Sequence, residues 1–470
     1  MSQTSTAPAA ECNVLLSTGV ITSLSQCCTD FNSHQCEAGH VQYIYVFGDP
    51  ATLDSRLTAF AALPGLTGLN AAVNPPAGAP APVPDSIGKL TGLKTLFLRP
   101  NSDTSGFSGL PASFINLVNL ENLELYNNAF STSLFDVLSK LPKLTGLTIS
   151  RNNFNAPIPA SIGNMRTLKS LTLKGSGLAG SIPNEMGSLA GLLSLDLTGN
   201  QLSGSIPDSF SGLKNLSSLT LASNKLSGPV TAALADFSNL GQIDLSQNQF
   251  TGPIPASLAG LKHLNIFDFS NNQLSGPIPN SIVAVKFLRS LTLANNALTA
   301  LPANFSGIAG ADTIDFSNNQ LSGSASSLKT LSGVTNVIIS HNKLSGSILE
   351  ACKLMPFKTL YLDMSFNNFE GDMTGCFTDD HRLANLFIND NPNLYGATNF
   401  TSSTYLTKCN FANTKVCAQD KKFQDLCQAT CIGTPVIGGK SGNSAARAAG
   451  SMAGVVLTLL AAVSAAMLVA

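Results

Sequence analysis

An asparagine that returns every two dozen residues constrains this chain more than any other feature. It stands at Asn128, Asn152, Asn200, Asn224, Asn248, Asn272 and Asn296, at intervals of 24 or 48, with Ser176 in the single gap. The series continues at Asn319, Asn342, Asn367 and Asn391, and upstream at Asn101, Asn74 and Asp49, giving fifteen markers spaced by 23 to 27 residues. A period in this range means a solenoid, in which each repeat is one winding and only neighbours bury a core. A chain of 470 residues is long enough for two or three ordinary domains, but the period favours one elongated domain.

The repeat can be read position by position from Leu240 to Pro255. Ile243 and Leu245 alternate with Gln242, Asp244 and Ser246, which predicts a short strand with the apolar pair inward and the polar residues outward. After the strand the backbone turns, and its polar groups need partners. An asparagine side chain offers donors and an acceptor, so Asn128, Asn152, Asn200, Asn224, Asn248, Asn272, Asn296, Asn319, Asn342, Asn367 and Asn391 are expected to form a ladder from coil to coil. Gly252 suits a tight turn, and Pro255 a segment where no amide donor is needed.

The run L-S-G-S-I-P-D-S-F-S-G-L at Leu202–Leu213, begun again as L-S-G-P-I-P at Leu274–Pro279, resembles the plant-type leucine-rich-repeat class. That class includes receptor-kinase ectodomains and polygalacturonase-inhibiting proteins. The resemblance covers residues 41–400 and implies an α/β repeat solenoid: a right-handed superhelix of about 15 coils with a parallel sheet on its concave face. It also implies an extracellular recognition scaffold. Cys27 and Cys28, followed by Cys36 and the strand Val41–Val46, look like the amino-terminal cap of the class, which implies the pairs Cys12–Cys27 and Cys28–Cys36. The tryptophan usual in that cap is absent.

The ten cysteines lie at the two ends, where a solenoid exposes its core: Cys12, Cys27, Cys28 and Cys36, then Cys352, Cys376, Cys409, Cys417, Cys427 and Cys431. Clustered in even number, they read as disulfides of an oxidising compartment. Cys352 and Cys376 stand at similar places in adjacent coils and are candidates to pair; the last four allow three connectivities. Zinc is the alternative use, but the sequence lacks paired C-x-x-C knuckles, so no metal and no cofactor is expected. The organisation expected is a cap over 1–40, repeats over 41–400, a second cap over 401–432, a linker over 433–450 and an apolar tail over 451–470. Residues 75–84, rich in proline, read as a loop bulging from the second coil, and the shorter coils marked by Asn296 and Asn319 predict a local change of curvature.

The tail Met452–Ala470 is uncharged, and as a helix would span about 28 Å. Small residues at Asn443-Ser444-Ala445 and a short spacer precede it, resembling a lipid-anchor (GPI) attachment signal at Asn443. The rival is a tail anchor holding the repeats in the cytosol, which the clustered cysteines oppose. Residues 1–11 lack the apolar run of a secretory leader, and the expectation is a leader missing from this sequence. Sequons at Asn215, Asn304 and Asn399 are candidate glycosylation sites.

Charged residues make up 11% of the chain and the net charge is −1, which leaves nucleic-acid binding without an electrostatic footing. No phosphate loop, nucleophile elbow or metalloprotease motif occurs. His341 flanks the Asn342 marker, where it could in principle meet Asp315 or Asp363 of neighbouring coils, yet a row of serines offers no pocket for a catalytic set. The chain reads as non-catalytic. The outward strand positions are the better functional signal. The amino-terminal end carries Tyr45, Phe47, Phe97, Arg99, Glu124, Tyr126 and Lys174, and the middle is Ser, Thr and Asp, including Asp196, Asp244, Asp268, Asp315 and Asp363. Exposed aromatics beside charge are recognition anchors, and aligned carboxylates favour a basic partner. The expectation is a cell-surface protein that binds a protein or glycan on its concave face and signals, if at all, through a partner. A structural coat or adhesion protein is the reading from another class.

Overall fold

The computed structural model describes residues 9–28, 33–74, 79–101, 106–308, 310–331, 333–349, 359–374, 376, 382–398, 405–418 and 421–429. Short apolar-polar alternations before each marker form strands that stack in parallel and in register. Leu219, Ile243, Phe267 and Leu291 are successive partners on the inner side, and Thr220, Asp244, Asp268 and Thr292 on the outer. The inner residues are wholly buried and belong to one apolar cluster running from Cys12 to Cys427. Among the described residues, sixteen parallel strands run from His40–Gly48 to Lys408–Asn410, one more than the markers count. The last of them falls inside the stretch 401–432 assigned to the cap.

The asparagine ladder forms as the spacing predicts. Asn248 Nδ2 donates to Leu221 O of the preceding coil at 3.0 Å and to Leu245 O and Ser246 O of its own at 3.1 Å, while Oδ1 accepts from Leu226 N at 3.0 Å. Asn224, Asn272, Asn296, Asn319, Asn342, Asn367 and Asn391 donate to the same set of carbonyls in their coils. From Asn128 to Asn391 the residue before each marker takes a left-handed conformation, as at Asn271 (φ 55°) and Asn295 (φ 57°), a role for which asparagine is suited. Ser176 substitutes only in part. Its Oγ donates to Ile149 O at 3.1 Å, but with no side-chain carbonyl to offer it leaves Phe154 N to the Ser176 backbone carbonyl; separately, Asn152 Oδ1, one marker upstream, is buried without a partner. Upstream the marker loses this duty: Asp49 instead caps the helix Pro50–Phe60, accepting from Ala51 N at 2.8 Å.

A second set of strands follows the markers. Ala179–Ser181, Gln201–Gly204, Lys225–Pro229, Gln249–Gly252, Gln273–Pro277 and Ala297–Ala300 form a six-stranded parallel sheet. A five-stranded sheet then begins at Ser322–Ser324. The seam lies at the coils that lack the G-x-I-P step, where the strand carrying Gly276 and Pro277 also shifts register against Ala297–Ala300. Gly252 has φ +76°, which a side chain would strain. Pro159, Pro183, Pro207 and Pro255 each stand immediately before a 3₁₀ turn, with φ between −63° and −76°, so the absent amide costs nothing there. The proline-rich loop is tied in at its far end: Ala81 bridges Phe107 and Val83 is buried.

Both ends of the array are closed. The helix Ala9–Ser17 presents Glu11, 4% exposed, to Val41 N at 2.9 Å and to His40 Nδ1 at 2.7 Å. Disulfides join Cys12 to Cys27 and Cys28 to Cys36, the pairs the resemblance implied. At the other end the helix Lys421–Cys427 lays buried Phe423 over the last strand, and Cys427 bonds Cys409. Cys376 and Cys417 are also disulfide-bonded. Cys352, Cys431, Asn399, Asn443 and the apolar tail lie outside the described residues. Among the described residues no helix is long and apolar enough to cross a membrane.

Candidate ligand-binding face

The outward side chains of the sixteen strands form parallel columns about 4.8 Å apart. At the amino-terminal end the columns are aromatic. Tyr43 and Tyr45 have ring centroids 4.8 Å apart, and Tyr43 reaches Phe97, two coils on, at 6.5 Å. It does so by lying across Gly68, where any side chain would collide with its ring. Burial raises the Tyr43 hydroxyl above its ordinary value. Phe47 and Tyr126 are exposed, and Arg151 sits over the Tyr126 ring at 5.4 Å. Arg99 Nε donates to Asn70 Oδ1 at 3.3 Å. Glu124 is raised in pKa by desolvation, with Arg99 opposing. Tyr43, Tyr45 and Phe47 stand on the strand His40–Gly48 of the amino-terminal hairpin; Phe47 is exposed, whereas Tyr43 and Tyr45 are half-buried and Gln35 Nε2 of the paired strand donates to the Tyr45 hydroxyl at 3.4 Å.

Toward the middle the columns become acidic. Asp244 and Asp268 are direct neighbours across two strands, while threonine or isoleucine separates Asp196, Asp315 and Asp363 from the next carboxylate. Each aspartate uses one oxygen locally: Oδ1 accepts from the amide two residues on, at Thr198, Ser246, Ser270, Ser317 and Ser365, over 2.8 to 3.0 Å. Ser317 and Ser365 add their hydroxyls at 2.7 and 2.6 Å. Aspartate at this position thus has a structural duty within its own strand. The charge remains unneutralised. Among the described residues the ion pairs are His40–Glu11 and Lys214–Asp236, and none involves the row. Burial pushes Asp268 up to about 6, Asp244 adding to it and hydrogen bonds with Ser270 opposing. Asp244 and Asp315 are raised for the same first reason.

His341 does not join Asp315 or Asp363. Its ring stacks on Phe366, centroids 4.1 Å apart and planes 11° apart. Cys27, Cys28 and His34 bring potential ligand atoms within 4.8 Å of one another, but both sulfurs are in disulfides and His34 Nε2 accepts from Cys28 N. That donor set does not fit a metal, which needs free thiolate. Of the sequons, Asn304 is exposed with only its Oδ1 engaged, by Ser306 N, whereas Asn215 donates Nδ2 to Ala190 O at 2.9 Å.

Comparison with known proteins agrees with this geometry. The leucine-rich-repeat family models match residues 166–226, 239–261 and 263–284. Among curated proteins no sequence matches. Among solved structures, the PEPR1–AtPEP1 complex superposes with a TM-score of 0.70 at 26% identity, covering 87% of this chain. The chain spans 59% of the length of that PEPR1 structure. The Arabidopsis receptor kinase HAESA, solved with the peptide hormone IDA and the co-receptor SERK1, gives a TM-score of 0.60 at 23% identity, over 87% of this chain and 78% of that one. The leucine-rich-repeat protein LIC12759 of Leptospira interrogans gives 0.62 at 22% identity, over 83% and 89%; these two show a shared fold. Residues 166–284 carry leucine-rich repeats, and the array is similar in fold to the PEPR1 structure. The repeats of this chain carry the second sheet and the aligned asparagines described above.

Proposed function

We propose that the chain is a non-catalytic recognition protein whose concave sheet binds a basic polypeptide segment of a protein partner. The observation that carries this reading is the row Asp196, Asp244, Asp268, Asp315 and Asp363, held in fixed positions by backbone amides and in no ion pair among the described residues. Desolvating carboxylates side by side costs stability, and a cationic ligand recovers it. A carboxylate that gives one oxygen to its own strand has another for a ligand. Glu124 and Tyr126, with the aromatic end of the face, supply a less charged anchor for the same segment. The same fold carries the hormone IDA in HAESA and AtPEP1 in PEPR1, which supports a polypeptide occupant. Disulfides at both ends support an extracellular setting. Anchoring at the cell surface through the tail, and signalling through a separate partner, complete the reading.

The test is equilibrium binding of a fluorescein-labelled lysine- and arginine-rich peptide. Asp244→Asn with Asp268→Asn keeps the Oδ1 acceptor for each strand while removing two charges. A weakening of about tenfold or more is expected. Glu185→Gln with Asp236→Asn removes two charges away from the sheet and is expected to leave binding within about twofold. Equal losses in both variants would reduce the effect to net charge, and no loss in either would leave a passive coat as the better description.

A further inference from the structure

A cleft of about 510 Å³ opens on the edge of the solenoid where three coils enter their strands, away from the concave columns. Asn239, Gly241, His263, Asn265 and Phe287 line it. The first of these belong to one column of the repeat: Asn239, His263 and Phe287 each stand nine residues before a marker, on three successive coils. Gly241 and Asn265 stand seven before. The flat stacking of coils therefore turns three unrelated side chains into one wall.

That wall is unusual for this edge. Phe287 is 59% exposed and lies parallel to His263, planes 3° apart and centroids 6.5 Å apart. The same column elsewhere holds Asn119, Lys143, Thr167, Gly191 and Asn215. The exposed ring leaves apolar surface in water, and a ligand that covers it gains the free energy of removing that surface. The floor is Gly241, where an added Cβ would meet only ordinary contacts, the nearest being Ser217 O at 3.6 Å, so the space in front of it is real. The backbone beneath is fixed, with Gly241 N bonded to Ser217 O at 2.8 Å and Asn265 N to Gly241 O at 2.7 Å. Asn265 Nδ2 donates to His263 O at 2.9 Å, which aims its amide along the wall and leaves Oδ1 as an acceptor. No carboxylate, lysine or arginine lines the cleft.

We propose that this cleft binds a neutral pyranose unit of a glycan. A sugar ring has one face of C–H bonds, suited to the exposed face of Phe287, and a rim of hydroxyls whose donor-acceptor pairs match primary amides. Asn239 and Asn265 supply two such amides, and His263 a third polar group. A flat aromatic ligand would leave the amides unpaired. An ionic ligand would find no counter-charge. The volume lies within the range of small-ligand sites and the cleft is shallow, which fits weak binding of one unit in a longer chain.

The experiment is saturation-transfer NMR and calorimetric titration of the full chain with neutral hexasaccharides of glucose, mannose and xylose, each taken to about 10 mM. Binding of at least one is expected, with transfer strongest to the ring C–H protons. Phe287→Ala, and separately Gly241→Leu, which fills the floor, are each expected to weaken it about tenfold or more with an unchanged melting temperature. Phe366→Ala, another exposed aromatic on a different column, is expected to leave it unaltered. The Asp244→Asn, Asp268→Asn variant is also expected to retain it, so this result and the fate of the concave-face reading are separable. The inference is overturned if none of the sugars binds, if binding survives both cleft variants, or if Phe366→Ala weakens it as much as Phe287→Ala.

Discussion

Replacing Asn248 by leucine removes one rung of the ladder, and the hydrogen-bond pattern sets the size of the effect. Three carbonyls lose a donor, but each keeps another: Leu221 O retains Asn224 Nδ2 at 3.1 Å, Leu245 O retains Asn272 Nδ2 at 3.0 Å, and Ser246 O retains Ser223 N at 3.0 Å. The amide of Leu226 loses Oδ1, its acceptor at 3.0 Å. The expected cost is therefore that of one orphaned buried donor, about 1–3 kcal/mol, not the sum of four bonds. Asn248→Asp separates the two halves of the side chain. It keeps Oδ1 for Leu226 N but turns an anion toward three carbonyl oxygens, so at pH 7 it is expected to be the worse variant. Its folded-state pKa would be raised, so that penalty is present above the raised value and falls away as the pH drops through it. Urea unfolding followed by circular dichroism measures both variants, and hydrogen exchange at Leu226 reads the rung itself, since a repeat array can open locally. A leucine variant within about 0.5 kcal/mol of the parent, or an aspartate variant more stable than it at pH 7, would refute the reasoning.

The raised pKa of Asp268, about 6 against a usual value near 3.8, gives a stability signature of its own. An acid whose folded pKa exceeds its unfolded one holds its proton longer when folded, so stability declines as pH rises from about 4 to 6 and the penalty is complete above that. Asp268→Asn is expected to be more stable than the parent at pH 7, by about 1–3 kcal/mol, and equal to it near pH 4, as read from melting temperatures across pH. Gly252→Ala places a Cβ in open space at φ +76°. Its expected cost of about 1–2 kcal/mol, measured by the same urea titration, is conformational alone, and a neutral result would show that the turn relaxes.

Much of this architecture was legible because the period fixes which residues are neighbours. Once Asn248 and Asn272 are known to be equivalent, Ile243 and Phe267 must stack, and their outward partners Asp244 and Asp268 must stand side by side. The cap disulfides followed from a resemblance of cysteine spacing, not from the repeat. The second sheet was not read, because L-S-G-P carries a glycine and a proline that weigh against a strand in isolation. Stacking supplies the partner strand, and glycine at positive φ stands at its last or next-to-last residue, as at Gly252 and Gly276. The marker count also fell one short, because the strand Lys408–Asn410 is followed by Thr414 in place of an asparagine. The proline-rich stretch reads as a loop bulging from the second coil, and at its far end Val83 is buried, where a nonlocal bridge from Ala81 to Phe107 ties it in.

The sequence by itself determined the winding, the inward and outward residues and the ladder, because all three depend on a spacing that survives translation along the chain. It also placed an aromatic end and an acidic middle on one face. Only the tertiary structure decided what those side chains are free to do. It gave each aspartate an amide of its own strand, took His341 away from the carboxylates to lie on Phe366, and set His263 and Phe287 in parallel around an open glycine. These are matters of a few ångströms and of orientation. They depend on how adjacent coils pack, and a one-dimensional pattern fixes adjacency without fixing angle.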